Sequence, residues 1–400
     1  MKRQYLITER AHFMCPNMHF GMMFEVEQEC KEEKVRGTLS RLAKAHPFLK
    51  SLIAYEEGTE KLYYKITDCS QITLIMRQSM ETLWEDYKEI SRQDWNVMEE
   101  GLLKVYCYPK PEGMTVLFVA HHLLADGRGL LGLAEEFAND YVGGIMPGYV
   151  EEQLIEDIDD LPAKSRLSGI SRLLVKQANN QWVKENQIVT YEQFRQFAKE
   201  YGCKKQVEYQ TYEVDAATVT QMRKQCKENG YTMNDLLMAH MYVTAGVKKI
   251  IIASDVRNTL AKYRKGALGN YATAIGIPCK TKTTDINRKA QEVHAIVQKY
   301  RKKNSAWMLV LACYLEMNPT LLDAAAISAM GGFSSKAGFF VGESMFGMGK
   351  STSYSITNLG QIQNENMKSV MFIPPASPAA RFTLGVVTLN GCMKACSSRN

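Results

Sequence analysis

The sequence predicts a mixed α/β protein made of two domains. Three observations support this. Short β-branched and aromatic runs typical of strands alternate with amphipathic helical segments. The chain has 400 residues, and an acidic segment interrupts the alternation before the middle of the chain. That length exceeds one compact core and suits two domains of about 150–200 residues each. We expect an N-terminal domain over residues 1–160 and a C-terminal domain over residues 161–400.

The first domain carries a regular series of strands and helices. Four short apolar runs predict strands, at residues 20–26, 62–66, 102–108 and 114–120. Two amphipathic segments predict helices, at residues 31–52 and 129–141. Strands and helices are therefore mixed within this domain.

The predicted linker covers residues 151–169, because it holds three acidic pairs and a proline with little apolar periodicity. Beyond it, helices are expected at residues 171–199, 215–228 and 232–245, the last beginning with the capping-box pattern Thr232-Met-Asn-Asp235. Strands are expected at residues 250–254, 353–359 and 382–389. Residues 331–350 contain six glycines and predict a long irregular loop.

Composition excludes several classes of protein. The net charge of +6 is mild and lysine and arginine are interspersed with glutamate, so no nucleic-acid-binding stripe is predicted. The ten cysteines form no CxxC pair, which argues against a zinc site or a disulfide scaffold. The most lipid-like run, residues 307–315, is too short to span a membrane, and the first ten residues lack the apolar core of a signal peptide. We expect a cytoplasmic protein without a metal.

The most informative segment is His121-His122-Leu-Leu-Ala-Asp126-Gly127, at the end of the strand predicted over 114–120. Side chains alternate along a strand, so His121 and His122 point to opposite faces. A neutral imidazole is the commonest general base near pH 7. Gly127 to Gly132 also fits the dinucleotide-binding pattern GxGxxG, but the strand ends too early and no acidic residue follows a second strand about 20 residues later.

Five stretches together resemble the acyltransferase superfamily related to chloramphenicol acetyltransferase. That superfamily includes the condensation domains of nonribosomal peptide synthetases and the alcohol O-acetyltransferases. The stretches are the HHxxxDG signature at His121–Gly127, Ala45-His-Pro-Phe-Leu49, Ser254-Asp-Val-Arg257 with Leu268-Gly-Asn-Tyr271, Ile356-Thr-Asn-Leu-Gly360, and Thr388-Leu-Asn-Gly391. The resemblance implies two lobes with mixed sheets flanked by helices and a channel between them.

The resemblance also implies roles for individual residues. His122 is expected to act as general base and His121 to be structural. Asp126, which could also be a plain turn residue, is expected to pair with Arg257 and so order the loop that carries His122. Gly127 is expected to let the backbone approach the substrate and start the next helix. Polar residues of the family's channel, one of them an oxyanion donor, are expected at Asn270, Ser355, Thr357 and Asn358.

The five other histidines belong to no motif, and we expect them to be ordinary core or turn residues. They are His12, His19, His46, His240 and His294. Family members usually continue beyond the position of Gly391 into a closing strand and helix, whereas nine residues follow it here. We therefore expect either a short variant or a C-terminal lobe that is less covered than usual.

The expected reaction is transfer of an acyl group from a thioester to an alcohol or amine, with His122 taking the acceptor's proton. The thioester is expected as a co-substrate, either acyl-CoA or an acyl group on the phosphopantetheine of a carrier protein, with no permanently bound cofactor. Two alternatives stay open. One is a free-standing condensation-type enzyme that makes an amide from a carrier-bound donor, and the other is a non-catalytic relative that binds a partner.

Overall fold

The computed structural model describes residues 3–349 and 353–400. Its strands are β1 (His19–Val26), β2 (Ser51–Tyr55), β3 (Leu62–Ile66), β4 (Thr73–Met76), β5 (Leu103–Lys110), β6 (Gly113–His121), β7 (Glu208–Val214), β8 (Lys249–Asp255), β9 (Ala272–Pro278), β10 (Tyr354–Ile362), β11 (Ser369–Ile373), β12 (Phe382–Leu389) and β13 (Cys392–Arg399).

Helices flank these strands along the whole described chain. They are α1 (Arg10–Phe13), α2 (Glu32–Ala45), α3 (Leu83–Glu89), α4 (Gly127–Tyr141), α5 (Gly169–Glu185), α6 (Tyr191–Lys204), α7 (Ala216–Asn229), α8 (Met233–Ala245), α9 (Ile286–Arg301), α10 (Asn304–Trp307), α11 (Leu309–Glu316), α12 (Pro319–Ala329) and α13 (Lys336–Phe339). The predicted mixed α/β class is confirmed.

The first sheet has the strand order β11-β1-β6-β5-β4. Its central strand β6 is buried from Gly113 to Ala120, because its apolar and β-branched residues cover both faces. It pairs antiparallel with β1 in a register that sets His19 opposite His121. Helix α4 packs on this sheet through Phe137, which makes edge-to-face contacts with Phe24 and Phe118. The end of β6 and the start of α4 therefore have a rigid support.

The second sheet has the strand order β7-β13-β12-β10-β8-β9. Strand β10 runs parallel to both β8 and β12, while the outer pairs are antiparallel. The residues after Gly391 form β13, which pairs with β12 and β7. A tight turn at Asn390 and Gly391 returns the chain directly along β12, so that the residues after it form this strand.

One strand crosses the division that the sequence predicts between the lobes. Strand β11, from the late part of the chain, pairs antiparallel with β1 at the edge of the first sheet. The expected two lobes with mixed sheets flanked by helices match this arrangement, and the boundary near residue 160 stays a prediction. Within the described residues, no helix is long and apolar enough to cross a membrane.

Several predicted elements differ in detail. The helix expected over 31–52 ends at Ala45, since Pro47 begins a 3₁₀ turn that leads into β2. The polar helix expected over 171–199 is two helices, because Asn186 closes α5 in a left-handed conformation and Thr190 caps α6. Within the predicted linker, Glu152 is fully buried and accepts a 2.7 Å bond from the Phe48 N–H.

The loop expected over 331–350 also contains regular structure. Ser335 caps α13, and a π-helical turn follows over Phe340–Met345. Gly342 packs against the backbone of Ala325, where any added Cβ would clash at 2.1 Å. Gly342 therefore allows close helix packing. Lys350 lies outside the described residues.

Candidate active site

His122 lies in the turn between β6 and α4. The strand ends at His121, and the backbone N–H of His122 donates to the carbonyl of Met18 at 2.7 Å, which ties the turn to the residues before β1. The two histidines have different surroundings, as the strand alternation predicts. His121 packs edge-on against Trp95 at 5.8 Å, and burial lowers its pKa to about 3. A histidine that stays neutral and packed in this way fits the expected structural role.

Asn270 determines which nitrogen of His122 carries the proton. Its Nδ2 lies 2.6 Å from the His122 carbonyl oxygen, and its Oδ1 lies 2.7 Å from the His122 Nδ1. A carbonyl oxygen only accepts, so the Asn270 amide nitrogen must face it and the amide oxygen must face the ring. The oxygen then accepts a hydrogen bond from Nδ1–H, which leaves the lone pair on Nε2.

The same surroundings keep the His122 imidazole neutral. Burial lowers the pKa of His122 below its ordinary value, although the bond to Asn270 and the charge of Asp126 act in the opposite direction. His122 as a whole residue is partly exposed. A neutral ring with an accepting Nε2 can take a proton near pH 7.

Asp126 forms the expected ion pair with Arg257. Its two carboxylate oxygens lie 2.6 and 2.7 Å from Arg257 Nη2, and they also accept bonds of 2.9 Å from the backbone N–H groups of Gly129 and Tyr271. Its own N–H donates to the carbonyl of Gly269 at 3.1 Å. Three chain segments thus converge on one carboxylate, immediately after the turn that carries His122.

The negative charge of the Asp126 carboxylate is stabilised although the side chain is buried. Burial alone would raise the pKa of Asp126, but Arg257 and the two backbone N–H groups outweigh it and hold the pKa below the ordinary value. The same side chain caps the N-terminus of α4, where a negative charge is favourable. None of these bonds is made to the His122 ring.

Gly127 is needed for packing at the start of α4. A Cβ there would lie 2.9 Å from Leu359 Cδ2 and 3.2 Å from the Phe372 ring. Strands β10 and β11 therefore approach the helix where the Asp-Gly pair begins it, and Arg128 adds a 2.6 Å bond to the Leu359 carbonyl. The expected approach of the Gly127 backbone to a substrate stays a prediction.

The other expected channel residues differ in their hydrogen-bond partners. Asn270 is buried and bonded to His122 at both ends of its amide. On β10, Ser355 donates to Thr383 at 2.8 Å and Asn358 accepts from the Gly360 N–H at 2.9 Å. Thr357 lies between them and is partly exposed. An oxyanion donor in this strand stays a prediction.

Sequence reasoning missed two residues beside His122. The His12 ring stacks on the His122 ring with centroids 4.4 Å apart and planes at 18°, and Phe20 lies against it at 4.9 Å. The expectation that His12 is an ordinary core or turn residue is thus incomplete. Phe20 could have been found from β1 alternation, since β1 pairs with β6, whereas no motif or spacing marks His12.

Glu9 is a buried carboxyl group near the same place. It directly precedes α1, is fully buried, and burial raises its pKa to about 7. The backbone N–H of Asn270 is among the groups that oppose this shift.

Five surface cavities have volumes of about 290–550 Å³, and His122 is not among the residues that line them. The channel between the lobes stays a prediction. Among the residues that the structure describes, no three acidic, histidine or cysteine side chains are grouped to hold a metal.

The fold is shared with solved structures of low sequence identity. The first condensation domain of the calcium-dependent antibiotic synthetase, in complex with a substrate analogue, is similar at a TM-score of 0.60 and 8% identity, over 100% of this chain and 91% of that one. Polyketide synthase associated protein 5 from Mycobacterium tuberculosis is similar at 0.58 and 12%, over 100% and 92%. The epimerization domain from the third module of tyrocidine synthetase B is similar at 0.57 and 13%, over 98% and 87%.

The sequence itself gives the family. A search of curated proteins found no match, but the sequence model of the family described as "Condensation domain" matches residues 17–246, more than half of the chain. That match includes the segment from His121 to Gly127, and the structures above share the fold. The chain therefore belongs to the condensation domain family, whose members are amide- or ester-forming transferases that act on thioesters carried by phosphopantetheine.

Proposed function

We propose that this chain moves an acyl group from a thioester to a hydroxyl or amine acceptor, with His122 as the general base. The observation that carries the proposal is the pair of bonds between Asn270 and His122. A base in acyl transfer needs a lone pair facing the acceptor and a fixed orientation. The Asn270 bonds supply the first of these, because they hold the proton on Nδ1 and leave the Nε2 lone pair free.

The proposed reaction needs no covalent intermediate on the protein. Nε2 of His122 removes the proton from the acceptor as its oxygen or nitrogen attacks the thioester carbonyl carbon. The C–S bond then breaks in the tetrahedral intermediate, and His122 returns the proton to the departing thiolate. The imidazolium is transient, and the nearby charge of Asp126 favours it. General acid–base catalysis of this kind contributes about 10²–10⁴-fold to a rate.

Asp126 has a supporting role in this proposal. Its pair with Arg257 joins the turn after β6 to the segment after β8, and the Tyr271 N–H brings in the segment that carries Asn270. Since Asn270 and His122 come from different segments, the ion pair fixes the distance on which the base depends. Loss of Asp126 should therefore affect both folding and turnover.

The first experiment is thiol release from acetyl-, butyryl- and longer acyl-CoA with pooled alcohols and amines. Wild type is compared with His122→Ala and, as a matched control, with His240→Ala, which replaces an exposed histidine on α8. We expect acceptor-dependent release that His122→Ala lowers by about 10²–10⁴-fold and His240→Ala leaves unchanged. Equal release by folded His122→Ala and wild type would exclude His122 as the base.

The donor is tested in parallel, because the family uses carrier-bound thioesters. The same variants are supplied with acyl groups loaded on the phosphopantetheine of carrier proteins, and amide or ester products are followed by mass spectrometry. Product from carrier-bound donors alone would assign a free-standing condensation-type enzyme. No product with either donor would favour a non-catalytic relative that acts as a binding module.

A further inference from the structure

The stacked pair His12–His122 joins the N-terminal segment to the candidate active site. His12 lies on α1, and its ring is nearly parallel to that of His122 at 4.4 Å. Phe20 covers another part of the His122 ring, and Asn270 holds Nδ1. The His122 ring is thereby contacted by a stacked ring and a tilted ring, and it is hydrogen-bonded at Nδ1.

Helix α1 is too short to be stable alone, so its position depends on tertiary contacts. Arg10 forms a buried ion pair with Asp323 on α12, with Nη2 to Oδ2 at 2.6 Å. Phe13 stacks on Tyr191 at 4.8 Å. These two contacts lie on either side of His12 in the sequence, and they fix the ring that faces His122.

We propose that His12 is a positioning residue, whose ring holds the His122 imidazole in the orientation that keeps Nδ1 on Asn270 and Nε2 free. The proposal rests on the proposed function for its kinetic consequence only. An imidazole bonded at one nitrogen can still rotate about its side-chain torsions, and a parallel ring at van der Waals distance removes that freedom. Reactions that depend on such orientation lose rate steeply when a group is displaced.

The charges around the two rings are consistent with this role. Burial lowers the pKa of His12 well below its ordinary value, and the nearby His122 and His121 lower it further. Asp126, at the start of α4, is the charged group that raises the pKa of His122. Two stacked imidazoles disfavour a double positive charge. His12 therefore stays neutral, and any proton taken up in turnover resides on His122.

The test replaces the ring while keeping its volume. His12→Phe retains an aromatic plane without nitrogens, and His12→Leu retains bulk without a plane; His12→Ala is a second variant without a ring if the leucine variant does not fold. Each is labelled with ¹⁵N-histidine, and the His122 ring nitrogens, assigned with His122→Gln, are titrated by NMR. The same variants are assayed for kcat and KM at several pH values.

We expect His12→Phe to keep the single His122 tautomer and most of kcat. His12→Leu should show mixed tautomers and a kcat lowered by about 10–100-fold with KM little changed. Its His122 pKa should fall further below the ordinary value, because the bond to Asn270 that raises this pKa is weakened. Wild-type His122 behaviour in the leucine and alanine variants would overturn the proposal. A phenylalanine variant as impaired as the leucine variant would also overturn it, because a ring nitrogen rather than stacking would then be required. The NMR result does not need turnover, so a failure of the proposed function is seen separately, as absent product in wild type.

Discussion

Each of the two stacked histidines lies near a buried ion pair in the sequence. The two pairs differ in how many hydrogen-bond donors stabilise the carboxylate. Asp126 pairs with Arg257 behind His122, and Asp323 pairs with Arg10 beside His12. Both join distant parts of the chain, and both carboxylates are at most 4% exposed. Each pair thus combines an arginine with a buried aspartate from a distant segment of the chain.

The difference is in the number of donors. Asp126 accepts from Arg257 and from two backbone N–H groups, and its pKa lies below the ordinary value. Asp323 accepts from Nε and Nη2 of Arg10, and burial, the largest influence, leaves its pKa above the ordinary value. The stabilisation of a buried charge thus depends on its full set of hydrogen bonds as well as on the opposite charge.

The largest expected effect is that of Asp126→Ala. Removal of one partner of a buried pair commonly costs about 3–5 kcal/mol, and this change also leaves the N–H groups of Gly129 and Tyr271 without their acceptor. Asp323→Ala should cost less, near the lower end of that range. Urea unfolding of both variants measures the two losses, and a larger loss for Asp323→Ala would contradict the comparison.

Arginine-to-lysine changes should reverse the order of the two sites. Arg257 holds Asp126 through one nitrogen, Nη2, which a lysine ammonium can replace. Arg10 uses Nε and Nη2 on Asp323 and Nη1 on the Glu60 carbonyl, a fork that lysine cannot reproduce. Each lost bond to a charged group costs about 1.5–3 kcal/mol. We expect Arg10→Lys to lower the free energy of unfolding more than Arg257→Lys, and equal losses would refute this.

The pH dependence should have opposite signs at the two sites. A lowered pKa means that the stabilising contribution of Asp126 is present above the unfolded-state pKa of about 3.9 and is lost as the pH falls through its folded-state value. A raised pKa means that the contribution of Asp323 is present below that value and is lost as the pH rises.

Asparagine variants isolate these contributions. As the pH rises from about 3 to about 7, Asp126→Asn should become less stable relative to wild type. Over the same rise, Asp323→Asn should become more stable relative to wild type. Thermal or urea unfolding across that range gives both slopes. If the stability difference from wild type changed with pH in the same direction for both variants, the folded-state pKa values of the two carboxylates would be shifted in the same direction.

The smallest expected effects concern two glycines of α4 beside Asp126. Gly127→Ala should cost about 1 kcal/mol, because its Cβ meets the movable tip of Leu359 at 2.9 Å. Gly132→Ala should stabilise by about 0.5–1 kcal/mol, since the space around its Cβ is open and alanine favours the helix. A destabilised Gly132→Ala would show that the packing around Asp126 extends one turn further along the helix.

Local sequence determined much of the fold. Strand β3 and strand β12 have the predicted limits, since short β-branched runs bounded by turns are local signals. The predicted capping box at Thr232 and Asp235 is present, because its two bonds join residues three positions apart. The limit predicted for the helix over 31–52 was wrong, because the helix ends at Ala45 and a 3₁₀ turn begins at Pro47.

For the candidate site, the sequence determined the HHxxxDG segment, and the family resemblance pointed to the partner of Asp126. Only the tertiary structure decided that Asn270 fixes the His122 tautomer, that β11 joins the first sheet, and that His12 stacks on His122. Local patterns record which face of an element is buried, whereas a contact between residues more than a hundred positions apart leaves no periodicity in either segment. Such contacts exist only once the chain has packed.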